Sequence, residues 1–164
     1  MITSKSLIQI ELPLKGGCQC NSIRYEVTVL PKTLYACYCM ECQRQSSAGF
    51  GMSMPVERVG FRLTNGQPGI WKRSAASGRV VGCAFCSQCG TRLYHAPERN
   101  QAIVNIKPGT LDDTSWIAPV GHLWVASAQS WIKIPQGELI YSGQPESFDD
   151  LFQVWRERLD SHAI

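Results

Sequence analysis

Short stretches in which apolar and polar residues alternate recur along most of the length of the chain. The alternation is clearest in residues 8–12, 23–27 and 50–55, and further strand-like stretches lie at residues 61–63, 70–72, 78–85, 91–95, 102–106, 122–126 and 131–134. A period of two residues is typical of a β-strand with one buried face. Gly16 and Gly17 are expected to form the turn between the first two strands. The pattern predicts a mainly β fold built from antiparallel sheets.

One helix is predicted, close to the end of the sequence. Ser147 is a favourable N-cap, and Asp150 stands at the capping-box position. The apolar residues that follow repeat at the spacing of one helix face: Phe148, Leu151, Phe152, Trp155 and Leu159. The spacing therefore predicts a helix over about residues 148–160 that packs on the sheets.

Length and composition are those of an ordinary globular protein. The 164 residues fit a single domain spanning 1–164, with 44% hydrophobic and 18% charged residues. No apolar run is long enough for a membrane span. The net charge is +3, but the Lys and Arg residues are scattered rather than clustered, so a nucleic-acid partner is not expected.

All eight cysteines lie in three short segments, 18–20, 37–42 and 83–89. CxC and CxxC spacings allow several thiolates to bind one soft metal ion. The alternative is a disulfide framework, which needs an oxidising compartment and usually a signal peptide. The first ten residues lack the apolar core of such a peptide. We therefore expect a zinc-binding, reduced, cytoplasmic protein.

Four of the cysteines form a natural closed set. Cys18 and Cys20 point to the same side of an extended segment. Cys86 and Cys89 form a CxxC turn followed by Gly90, which accepts a left-handed conformation. These four thiolates predict a structural zinc site without a free coordination position.

The middle segment supplies Cys37, Cys39 and Cys42, and three protein ligands are the pattern of a catalytic zinc. A zinc ion with three thiolates has a net charge of about −1, so it suits an incoming thiol better than the activation of water. Cys83 has two interpretations. It could be a fourth ligand that closes this site, or a small buried apolar residue, and the second is favoured.

These segments resemble the family of glutathione-dependent formaldehyde-activating enzymes, which also includes centromere protein V. The resemblance runs from about residue 14 to 131, and it rests on these matching segments: Gly17-Cys18-Gln19-Cys20, Ile23-Arg24-Tyr25, Cys37 to Cys42 with Arg44, Phe85 to Thr91, Gly109 to Asp113 and His122-Leu123-Trp124.

The resemblance implies a β-tent fold with two zinc ions per chain. It assigns the structural zinc to Cys18, Cys20, Cys86 and Cys89, and the catalytic zinc to Cys37, Cys39 and Cys42. It also implies a carbon–sulfur lyase-type reaction that joins glutathione and formaldehyde as S-hydroxymethylglutathione. The chain departs from the family pattern at Tyr38, often histidine, at Ser47, usually glycine, and at Cys83.

Two functional classes stay open at this point. An enzyme needs an exchangeable position on the second zinc, whereas a binding or scaffold module uses that zinc only to hold a loop. Arg44 could pair with a substrate carboxylate or could be a surface residue. His95, His122 and His162 are not assigned as ligands.

Overall fold

The computed structural model describes residues 7–75 and 78–159, and this part of the chain contains two β-sheets. The smaller sheet contains β1, β2 and β5 in that order. The larger sheet has the order β11-β10-β3-β4-β9-β8-β7-β6. The strands are β1 Leu14–Gly17, β2 Arg24–Val27, β3 Tyr35–Cys37, β4 Gly51–Glu57, β5 Phe61–Asn65, β6 Gly69–Ser74, β7 Val80–Phe85, β8 Arg92–Pro97, β9 Ile103–Ile106, β10 Gly121–Leu123 and β11 Leu139–Tyr141. The predicted mainly β fold is confirmed.

The larger sheet is mixed rather than purely antiparallel. β10 pairs in parallel with both β3 and β11, while the other strand pairs are antiparallel. Parallel neighbours cannot be joined by a tight hairpin, so they come from distant parts of the chain. Local alternation reports a strand but not the direction of its partner, which is why the sequence indicated antiparallel sheets alone.

Several predicted strands differ from the observed ones. Residues 8–12 form no strand, and Ile8 makes only an isolated bridge with Leu159. Residues 131–134 also form no strand, and Trp131 is exposed. Gly16 and Gly17 lie inside β1 rather than in a turn. A Cβ on Gly16 would lie 2.5 Å from the carbonyl oxygen of Thr110 and from the Tyr25 ring, so close packing requires glycine there.

The predicted C-terminal helix is α2, Asp149–Arg158. The backbone N–H of Asp149 donates to Ser147 Oγ at 3.1 Å, and that hydroxyl donates to the Asp149 carboxylate rather than to Asp150. Leu151 and Trp155 are fully buried, as the apolar spacing predicted. Residue 160 lies outside the described residues.

A second helix, α1 (Met40–Ser46), was not predicted. Its N-cap is Cys39, whose Sγ accepts a hydrogen bond from the backbone N–H of Cys42 at 3.4 Å. The cysteine spacing indicated metal ligands and gave no separate sign of a helix, although these residue types are compatible with a short one. The consequence is that Cys42 lies in the first turn of α1, beside β3 and β4.

The two sheets share one apolar core. Phe61 of β5 packs edge-on against Tyr94 of β8, with 4.9 Å between ring centroids. Fully buried core residues come from both sheets, including Val27, Met54 and Val104. No helix within residues 7–75 and 78–159 has the length and apolar character that a membrane span needs.

Candidate metal centres

The four-cysteine cluster joins the end of β1 to the turn between β7 and β8. Cys18 Sγ lies 3.5 Å from Cys20 Sγ, which lies 3.7 Å from Cys86 Sγ, and Cys89 completes the group. Four sulfurs about 2.3 Å from a tetrahedral zinc ion would lie about 3.8 Å apart, whereas a disulfide needs about 2.05 Å. All eight cysteines are free thiols. The sulfur spacing therefore fits a bound metal ion.

Hydrogen bonds around this cluster favour the thiolate form. The backbone N–H of Ile23 donates to Cys18 Sγ at 3.2 Å, and Ser22 Oγ lies 3.5 Å from the same sulfur. Burial raises the pKa of Cys18, but these hydrogen bonds outweigh burial and lower it to about 7. The Thr91 hydroxyl, 3.2 Å from Cys89 Sγ, lowers the pKa of Cys89 to about 5. Such ionised sulfurs are the form that binds metal.

The glycine after the second CxxC cysteine behaves as the sequence predicted. Gly90 has φ +73°, and its backbone N–H donates to the carbonyl of Cys86 at 2.8 Å. A left-handed residue at this position lets the turn bring Cys89 back beside Cys86.

The three-cysteine cluster is formed by the end of β3 and the start of α1. The Sγ atoms of Cys37, Cys39 and Cys42 all lie within 4.8 Å of one another, so the group could hold a metal ion. Cys37 and Cys42 are buried, whereas Cys39 is partly exposed. Cys39 is therefore the most exposed residue of this cluster.

The thiols of this cluster differ widely in pKa. Hydrogen bonds from the thiols of Cys37 and Cys42, the nearby N–H of Cys42 and the positive charge of Arg73 hold the pKa of Cys39 far below its usual value. The pKa of Cys37 is raised because its thiol donates to Cys39, interacts with Cys42 and is buried. Three close thiolates repel one another, so the cluster requires a cation before all three can ionise.

Cys83 belongs to neither cluster. It is 3% exposed on β7, and Gln45 Nε2 of α1 donates to its Sγ at 3.5 Å. This placement agrees with the interpretation of Cys83 as a buried residue rather than a fourth ligand.

Three basic residues act on the three-cysteine cluster, and the sequence did not indicate any of them. The positive charge of Arg73 lowers the pKa of Cys39, and the charges of Arg92 and Lys107 interact with Cys42. Arg44, which the sequence suggested for a substrate carboxylate, is exposed on α1. Alternation along a strand identifies the buried side of the strand, but it does not reveal which cations are brought to one point.

The comparison with protein-family models identifies residues 13–127 as the glutathione-dependent formaldehyde-activating enzyme family. This match covers more than two thirds of the chain. The chain belongs to this family. The suspected resemblance is thereby confirmed.

A solved crystal structure shares the fold of this protein. It is a crystal structure described as a Rhodobacter sphaeroides protein and a structural genomics target, with a TM-score of 0.50 and 18% sequence identity. The alignment covers 77% of this chain and 98% of that one. The likeness shows the fold alone. No curated protein matches the chain.

The structure shows the surroundings of two residues that differ from the family pattern. Ser47 ends α1 in the left-handed region, with φ 51°, where glycine is the favourable residue. Tyr38 lies between two cluster cysteines, is buried, and its hydroxyl is 2.7 Å from Nδ1 of buried His122. Gln43 Nε2 donates to the carbonyl of Tyr38 at 2.7 Å. These contacts hold the backbone of the three-cysteine cluster in place.

Proposed function

We propose that the protein is a zinc-dependent carbon–sulfur lyase-type enzyme that acts on a small thiol, glutathione-like, and an aldehyde such as formaldehyde. Family membership supports the reaction class. The observation that carries the proposal is the difference between the two clusters, because one has four cysteines and the other three. A three-ligand group leaves one position of a tetrahedral metal ion for a substrate.

The residues that hold the ions are the two cysteine clusters. Cys18, Cys20, Cys86 and Cys89 would bind the structural zinc, and Cys37, Cys39 and Cys42 the catalytic zinc. The ion in the three-cysteine cluster would lower the pKa of a bound thiol, so that thiolate is present near neutral pH. The reaction would join the thiol sulfur to the aldehyde carbon as the carbonyl π bond opens, and the proton of the thiol would end on the former carbonyl oxygen.

The residues of the chain prepare the site for this step. Arg73 supports ionisation of Cys39, and the partial exposure of Cys39 gives a small thiol access. Gln43 and the start of α1 fix the backbone of the cluster. Because binding would lower the pKa of the substrate thiol, no separate side-chain base is required. Reduced thiols at both clusters suit a cytoplasmic location.

The alternative function is a zinc-stabilised binding or scaffold module without catalysis. It would require a fourth protein ligand at the second site, and the position of Cys83 outside the cluster argues against this. The alternative nevertheless makes a distinct experimental prediction, because such a site would not respond to added thiol.

Zinc-edge X-ray absorption with and without glutathione tests the proposal. Addition of glutathione should raise the mean sulfur number from about 3.5 to about 4 per zinc, since one site changes from three sulfurs to four. Cys83→Ala is the matched control and should respond as the unmodified protein does. If both zinc ions already have four sulfur ligands before thiol is added, and Cys83→Ala lowers that number, the protein is a binding or scaffold module instead. Formation of S-hydroxymethylglutathione, followed by NMR, tests the named substrates separately.

A further inference from the structure

Two of the basic residues near the three-cysteine cluster, Arg73 and Lys107, lie on the same face of the larger sheet as Cys83. A single cross-strand row contains Trp71, Cys83, His95 and Asn105. Arg73 follows the first member of this row by two residues, and Lys107 follows the last by two. Residues two apart on a strand share a face, so both cations lie on the side of Cys83. Gln45 of α1 contacts Cys83, which places α1 over the same face.

Contacts and charge interactions place the three cations near buried His95. Burial lowers the pKa of His95, and the charges of Lys107, Arg92 and Arg73 each lower it further. The Arg92 guanidinium contacts His95 Nε2 directly, and Lys107 Nζ donates to Ser53 Oγ at 3.1 Å. Three positive charges therefore surround one neutral, buried histidine beside the cysteine cluster.

Two polar groups at this place lack a hydrogen-bond partner. Among the described residues, Arg73 Nε and Gln45 Oε1 are buried without an acceptor or a donor. The Arg73 side chain is 12% exposed, and one of its two terminal nitrogens, Nη1, forms an ion pair with Glu41. Buried polar groups are nearly always satisfied, so these two groups indicate a position for a ligand that offers an acceptor to Arg73 and a donor to Gln45.

The chemistry of the two groups specifies that ligand. A guanidinium N–H pairs best with a carboxylate oxygen, whereas sulfur is a weak acceptor. The free Oε1 of Gln45 accepts from an N–H donor. A thiol of the amino-acid type carries both a carboxylate and an N–H group near its sulfur. Glu41 balances one of the three basic residues, so positive charge remains for the carboxylate.

We infer that Arg73, Arg92 and Lys107, with Gln45, form a carboxylate subsite that selects a thiol of the cysteine or cysteine-peptide type over uncharged thiols. This inference rests on the proposed function, because the thiol has to reach the three-cysteine cluster. Arg73 is the specificity-determining residue through its unpaired Nε, and Arg92 and Lys107 supply the surrounding positive charge.

The test compares two thiols that differ only in the charged group, N-acetylcysteine and its neutral amide, N-acetylcysteinamide. Calorimetric titration of the zinc-loaded protein measures both affinities. We expect the acid to bind at least about 10-fold more tightly, since charge-assisted hydrogen bonds are about twice as strong as neutral ones. Arg73→Gln should reduce this preference to less than about 3-fold, because it should weaken binding of the acid more than binding of the amide. Arg44→Gln is the matched control and should retain the preference.

Each remaining outcome has a definite meaning. Equal affinities in the unmodified protein, or a loss that affects acid and amide alike in Arg73→Gln, would show that the cations only neutralise the thiolates, and the subsite would be refuted while the proposed function stands. If neither thiol binds the zinc-loaded protein, the proposed function and the subsite both fail. Zinc content and circular dichroism verify folding, and Arg92→Gln replaces Arg73→Gln if that variant does not fold.

Discussion

Substitution of one ligand in each cluster should separate the structural site from the catalytic one. Cys20 and Cys86 are 66 positions apart, so an ion held between them closes a long loop. If that ion acts as a cross-link, it lowers the conformational entropy of the unfolded chain and so stabilises the folded protein by about 4 kcal/mol at 25 °C. Cys39 and Cys42 are only three positions apart, and the same relation assigns this cluster about 2 kcal/mol.

The two variants should therefore differ in stability. Cys86→Ser removes a buried ligand of the four-cysteine cluster. It should lower the melting temperature by about 8–16 °C, at about 2–4 °C per kcal/mol. Cys39→Ser should cost about half as much, because the three-cysteine cluster closes only a short loop, and serine can still serve as an N-cap for α1. Thermal unfolding followed by circular dichroism gives the melting temperatures, and mass spectrometry under native conditions counts zinc ions per chain.

Cys83→Ala is the control for loss of a buried thiol, since Cys83 belongs to neither cluster. It should retain two zinc ions, and Cys39→Ser should retain one. A lower melting temperature for Cys39→Ser than for Cys86→Ser would reverse the assignment of the two sites. Full zinc content in both serine variants would mean that these cysteines do not hold the metal.

Three further predictions concern metal release and the two helices. Stepwise chelation should remove the zinc of the three-cysteine cluster first and without unfolding, whereas simultaneous loss of both ions with unfolding would contradict the division of sites. Ser47→Gly should stabilise the protein by about 0.5–1 kcal/mol in urea unfolding, because Ser47 has φ 51°, and no gain would contradict strain at this position. Leu151→Ala should cost about 2–5 kcal/mol in the same assay, since Leu151 is fully buried, and a cost below about 1 kcal/mol would argue against the packing of α2 on β10.

The secondary structure shows where sequence patterns were sufficient. The C-terminal helix was predicted because Leu151 and Trp155 repeat at helical spacing and are buried by the same spacing in the structure. Most central strands were predicted because one face of each is buried. Residues 8–12 alternate equally well, but they form only an isolated bridge, since no sheet edge is paired along their length. Alternation reports burial, and a strand also needs a partner.

The two cysteine groups were predictable because metal ligands follow short and restrictive spacings. Cys86, Cys89 and Gly90 specify one turn, and that turn offers two sulfurs whatever surrounds it. By contrast, nothing in the local sequence around Arg73, Arg92 or Lys107 distinguishes them from surface cations. Each lies on or beside a different strand, and their proximity depends on the pairing of β6 through β9.

The sequence by itself determined the mainly β fold, the C-terminal helix and the short cysteine segments that supply the two clusters, because these depend on residue period and local spacing. Only the tertiary structure decided that β3, β10 and β11 run parallel, that Cys83 stands apart, and that three cations meet at the three-cysteine cluster. The physical reason is that strand order and long-range register are set by burial of the whole core. Side chains far apart in the sequence become neighbours only when that core is closed.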